Sequence, residues 1–155
     1  MYTLLLFLHS AIRWVVLVTI LYTLVRSYRG WLNNMPFTKS DNILRVTTLS
    51  VVHIQVCIGV ALYATSPVIR FFYENFKHAV HDKDFRFFGM EHSLMMLIAA
   101  VLITIGSVRA KKKTADQQKF KTLAIYFTIA LLIIVSSIPW PFLDMVANRP
   151  LFRAI

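Results

Sequence analysis

The chain has one cysteine and only seven acidic residues in 155 positions. A single thiol, Cys57, closes no internal disulfide and completes no cysteine-based zinc site. Charged residues make up 15% of the chain, where a soluble domain carries nearer about 25%. These shortages exclude a secreted disulfide scaffold, a disordered tail and an ordinary soluble enzyme domain. No internal repeat or low-complexity segment divides the sequence, so one transmembrane domain over residues 1–155 is expected. What is abundant is apolar character, 57% of residues, and basic charge, 17 Lys and Arg for a net +10. The positive charge sits in short clusters between long apolar runs, which reads as an integral membrane protein and not as a nucleic-acid binder.

Four runs reach the roughly 20 residues a helix needs to cross a bilayer. They cover about 2–25, 46–69, 88–108 and 122–143. Four separate spans cannot close a β-barrel, so the expected fold is all-α: an integral membrane four-helix bundle, up-down-up-down. The first span has no basic n-region, is too apolar over too great a length and lacks a small-residue cleavage site, so it reads as a retained helix and not a signal peptide. In the first connection, Ser40 or Asp41 is placed to cap the second helix.

The loops bounded by Arg26 and Arg45 and by Arg109 and Lys121 hold ten basic residues, including Lys111, Lys112 and Lys113. The second loop holds four, alongside Glu74, Asp82 and Asp84, and the tail adds Arg149 and Arg153. The positive-inside rule puts the first and third loops in the cytoplasm and both termini outside, as expected of a multi-pass protein of a bacterial inner membrane. Within the second loop, Ile69, Phe72, Tyr73, Phe76 and Val80 recur at helical spacing. That spacing predicts an amphipathic helix over about 68–81, lying on the outer membrane surface or packing on a partner subunit.

Polar residues within a bilayer are expensive and mark function first. They are His9 and Arg13 in the first span, His53 and Gln55 in the second, and Glu91 and His92 at the start of the third. At about 1.5 Å of rise per residue, His9 lies about 6 Å and His92 about 9 Å outward of their span midpoints, while His53 lies close to the midplane. The first and third helices are diagonal neighbours in such a bundle. Two imidazoles facing each other there at one level suit axial ligation of one haem iron. Ile12, Arg13 and Val16 continue the His9 face, and Met95, Met96 and Ala99 that of His92. Arg13, one turn from His9, needs an anionic partner, for which a haem propionate, Glu91 and a quinone oxygen are the candidates. His53 is a substitute axial ligand or a quinone contact, and Cys57 reads as a small buried residue.

Each feature also has a plainer reading. Intramembrane histidines serve as helix-to-helix hydrogen-bonding residues. Arg13 suits snorkelling or a subunit contact. His78 and His81 sit three apart, able to grip a metal but more ordinary as solvated loop residues. Two rival functions follow: a non-catalytic structural or assembly subunit of a membrane complex without its own cofactor, and a copper- or zinc-binding protein using His9, His53 and His92.

The strings HSAIRW (residues 9–14), HIQVCIG (53–59) and GMEHSLMMLIA (89–99) resemble those of a small four-helix membrane family of Bacteroidota known as cytochrome b-like. PFTKSDN (36–42) and IPWPF (138–142) are similar as well. The resemblance implies b-type haem, electron transfer and iron ligation by two of His9, His53 and His92. The chain is also similar in scale to four-helix dihaem cytochromes b that exchange electrons with quinone, superoxide oxidases among them. Those carry histidine ligands on the last helix, where this sequence has none. The expectation is therefore one haem b and a quinone or quinol as redox partner. Beyond membrane lipid, the partner at the outer face is a larger respiratory complex or a second copy of the chain.

Overall fold

The computed structural model describes residues 1–140. It is helical and has no strand among those residues. The elements are α1 (Tyr2–Leu32), α2 (Lys39–Thr65), three short helices α3 (Pro67–Glu74), α4 (Phe76–Ala79) and α5 (Lys83–Arg86), a π-helical turn (Phe87–Glu91), α6 (His92–Lys112) and α7 (Asp116–Ser136). α1, α2, the continuous helical run of residues 83–112 and α7 are each long and apolar enough to cross a membrane, which makes the chain a multi-pass membrane protein by length and composition. α1 packs beside α2 and α7, and α6 beside α7 and α2, so α1 and α6 face each other diagonally across the bundle.

The helices extend past the apolar runs, because their polar ends occupy the headgroup layers beyond a hydrocarbon core of about 30 Å. α1 continues from Val25 to Leu32 and stops where Asn34 takes a positive φ of 51° ahead of Pro36. α2 starts at Lys39, and its cap is Thr38 in place of Ser40 or Asp41. Thr38 and Asp41 form a reciprocal capping box, with Asp41 contributing from the third helical position. α2 ends at Thr65 and not Ile69, because Ser66 precedes a proline and takes an extended ψ of 126°. Pro67 then opens α3 at the position where its missing N–H costs nothing. α7 begins earlier than residue 122 and ends at Ser136, three residues ahead of Pro139. The rest of the expected fourth span, residues 141–143, lies outside the described residues, as do Arg149, Arg153 and the last two residues of IPWPF.

A single amphipathic helix over 68–81 is not what forms. Asn75 takes φ −122° and ψ 34°, and its side-chain amide donates to the Phe71 carbonyl, which breaks the run between α3 and α4. Ile69, Phe72 and Ala79 are buried against the bundle, whereas Tyr73 and Phe76 are exposed. The apolar face of this segment closes the end of the bundle opposite the basic loops.

The interior is filled by Val16, Ile20, Leu24, Val52, Ile103, Phe127 and their neighbours. Between hydrocarbon-soluble helices, close packing and polar contacts supply the specificity that hydrophobicity does not. α6 presents Ala99, Ile103, Gly106 and Ala110, all buried, to α7. Thr23 and Thr48 share a buried hydroxyl hydrogen bond of 2.9 Å between α1 and α2. At the end carrying the basic loops, Arg26 donates from Nε and Nη2 to both carboxylate oxygens of Asp41, at 2.6 and 3.0 Å. Asp41 also accepts from the Thr38 backbone N–H at 2.8 Å. Because its side chain is only 5% exposed, Asp41→Asn is expected to cost about 2 kcal/mol, read as a lowered unfolding temperature in detergent.

Candidate functional site

The end of the bundle opposite the basic loops brings His9 of α1 and His92 of α6 together across the diagonal. Their ring centroids are 6.4 Å apart and the planes are inclined at 72°. His92 is set by two neighbours. Its Nδ1 lies 2.8 Å from the Ser137 carbonyl oxygen, just past the end of α7. In the tautomer that donates this bond, Nε2 keeps a lone pair for another acceptor or a metal. The second neighbour is Phe87, whose ring lies 5.6 Å away centroid to centroid. The π-helical turn immediately before His92 shifts the helical register there, a distortion often found at functional positions.

His9 is held from the α2 side. Gln55 Nε2 donates to the His9 carbonyl at 2.9 Å. Gly59 lets α2 close onto the imidazole: a β-carbon at this position would stand 3.3 Å from His9 Cε1. His9 Nδ1 and Gln55 Oε1 are both buried without a hydrogen-bond partner. Two such atoms at one place are costly unless a ligand or water meets them. Arg13 lies one turn further in on α1, with its guanidinium carbon 5.5 Å from the centroid of the Trp14 ring. Trp14 in turn meets Trp140 edge to face at 6.1 Å.

Other expected members of the site go elsewhere. His53 is exposed on the bundle surface and pairs through Nε2 with the Thr104 hydroxyl at 3.0 Å, so it joins α2 to α6 and does not join the His9–His92 pair. Glu91 is the partner of Arg86, at 2.7 Å, and not of Arg13. Cys57 is exposed instead of buried. Met95 is exposed, whereas Met96, Val16 and Ala99 face the interior as expected. His78 and His81 are both exposed. Among the described residues no group of three or more His, Cys, Asp and Glu side chains converges as a metal site, so the three histidines do not form one copper or zinc centre.

Sequence reasoning missed the Ser137 carbonyl and the outer tyrosines. Tyr63 donates to the Gly89 carbonyl at 2.6 Å and pairs with the Tyr73 hydroxyl at 2.8 Å, tying α2 and α3 to the π-helical turn. Tyr63 is recognisable only as an interfacial aromatic. A backbone carbonyl has no signature in the sequence at all.

His9 and His92 are the two side chains that could hold an iron between them. The orphaned Nδ1 of His9 leaves a buried polar atom for a group beyond the protein's own side chains. No family model, curated protein or solved structure matches the chain.

Proposed function

We propose that the chain is a b-type cytochrome of a bacterial inner membrane, holding one haem between His9 and His92 and passing electrons between quinone or quinol and a partner at the outer face. The facing imidazoles, 6.4 Å apart across the bundle, carry this reading. When bound, haem supplies a one-electron couple whose potential follows axial ligation, hydrogen bonding and burial. The chain's own residues do the rest. The Ser137 carbonyl orients His92 and strengthens its imidazole as a donor. Gln55 and Gly59 lock the His9 backbone and ring. Arg13 provides positive charge one turn inward, suited to a propionate or to a reduced quinone oxygen. The packed interior from Ile20 to Ile103 keeps water from entering from the opposite side.

A pyridine haemochrome assay on the purified chain tests the proposal. The expected result is a b-type α-band at one haem per chain. His53→Ala is expected to leave that absorbance intact, because His53 is engaged with Thr104 outside the pair. The rival is a structural subunit, favoured by the hydrogen bonds that His53 and His92 already make to neighbouring helices. It predicts a colourless protein that co-purifies with other subunits.

A further inference from the structure

At the opposite end of the bundle, α2, α6 and the first turn of α7 surround an open recess of about 520 Å³. Its lining includes Phe37, Lys39, Ile43, Arg45, Lys111 and Lys119. Arg45 is the unusual member, a cation in a membrane helix that is only 5% exposed. Its guanidinium donates to Asn42 Oδ1 at 2.8 and 3.2 Å and to Ser107 Oγ at 2.6 Å. All of these partners are neutral. Among the described residues no carboxylate pairs with Arg45, Lys39 or Lys111, whereas Lys119 is neutralised by Asp116 at 2.7 Å. A buried cation satisfied only by neutral acceptors lacks its counter-charge. Here two further unpaired cations stand beside it.

The surroundings are amphiphilic. On α2, Lys39, Ile43 and Val46 follow one another along an exposed strip, Ile43 64% and Val46 43% exposed. On α6, Val108 and Ile105 are exposed below Lys111. The cations therefore cap two apolar strips that run toward the membrane interior. A free phosphate needs only the cations, whereas a phospholipid uses both features: its phosphate meets the two lysines beside the buried charge of Arg45, and its chains lie on the apolar strips.

From this juxtaposition we infer that the recess is a binding site for the phosphate of an anionic phospholipid from the leaflet next to the basic loops. Bound lipid supplies the negative charge missing around Arg45 and bridges α2, α6 and α7. The site is remote from the histidine pair, and its test does not depend on haem.

The experiment is lipid binding by the full chain in neutral detergent, followed by native mass spectrometry. Phosphatidylglycerol is compared with phosphatidylcholine of the same acyl chains and with inorganic phosphate. Wild type is expected to retain phosphatidylglycerol selectively. The double variant Lys39→Gln/Lys111→Gln is expected to bind it about 25-fold more weakly, at about fivefold per cation near the surface. The control Lys112→Gln/Lys113→Gln removes the same charge outside the recess and is expected to stay within about twofold. Equal retention of phosphatidylcholine, or equal weakening in the control, overturns the site. Inorganic phosphate displacing the lipid at equal concentration overturns the lipid as its occupant. Arg45→Gln, if it folds, is expected to lose selectivity for the anionic lipid altogether.

Discussion

With His92 replaced by alanine, the purified protein is expected to lose essentially all of its haem absorbance, and His9→Ala is expected to do the same. On the proposed ligation, each change removes one of the two nitrogens that would hold the iron, and His53 is held by Thr104 on the bundle surface and does not stand in for either. His92→Ala carries a second cost. It strands the carbonyl of Ser137, a residue only 7% exposed, and an unsatisfied buried acceptor costs about 1–3 kcal/mol. His92→Ala should therefore lower the unfolding temperature even of cofactor-free protein. His9→Ala should lower it less, because it removes packing but strands no acceptor, His9 Nδ1 being already without a partner. Optical spectra with pyridine haemochrome quantification check the first effect, and circular-dichroism melting of protein prepared without haem checks the second. Restoration of the spectrum of His9→Gly by added imidazole would separate lost ligation from lost folding. Full haem content in either alanine variant would sink the assignment.

The second large effect concerns packing. Gly106→Leu is expected to destabilise the bundle by about 3 kcal/mol or more. A β-carbon at residue 106 would overlap Tyr126 Cβ, an atom fixed to the α7 backbone, so relief requires moving one helix away from the other. α6 and α7 pack along their length, and Ile103, Ala110, Phe127 and Ala130 on these two helices are all buried. A shift there would also loosen the bond between Arg109 and the Tyr126 hydroxyl, 2.6 Å. By contrast Val108→Ala, at an exposed position on the same helix, should stay within about 0.5 kcal/mol of wild type. Thermal unfolding in detergent distinguishes the two. An unchanged Gly106→Leu midpoint would mean that the α6–α7 approach is not as close as described.

Much of the site was legible from chain order and helical rise. His9 and His92 match in depth because both follow span starts on the same side of the bundle, and the diagonal position of their helices follows from up-down-up-down connectivity. His53 was harder to place. Its depth separates it from the pair, but its direction depends on how α2 is rotated, which the mixed polar and apolar pattern around Gln55 and Cys57 does not specify. The same uncertainty of rotation explains why Cys57 is exposed instead of buried. Glu91, one of three candidate partners for Arg13, goes to Arg86 instead, at the end of a π-helical turn over Phe87–Glu91 whose register a regular helical period does not carry. The segment over 68–81 carries a helical period throughout, yet one polar side chain at Asn75 was enough to divide it.

Amino-acid order by itself determined that this protein is a bundle of four membrane-length helices, because hydrocarbon leaves backbone polar groups no partner except along their own helix. It also determined the level of each intramembrane histidine, since rise per residue converts position into depth. Only the tertiary structure decided which rings meet, which cation is left without a carboxylate and which carbonyl orients His92. Those outcomes depend on helix rotation and on contacts between residues far apart in the chain, such as His92 with Ser137 and Arg45 with Ser107, and a linear period carries neither.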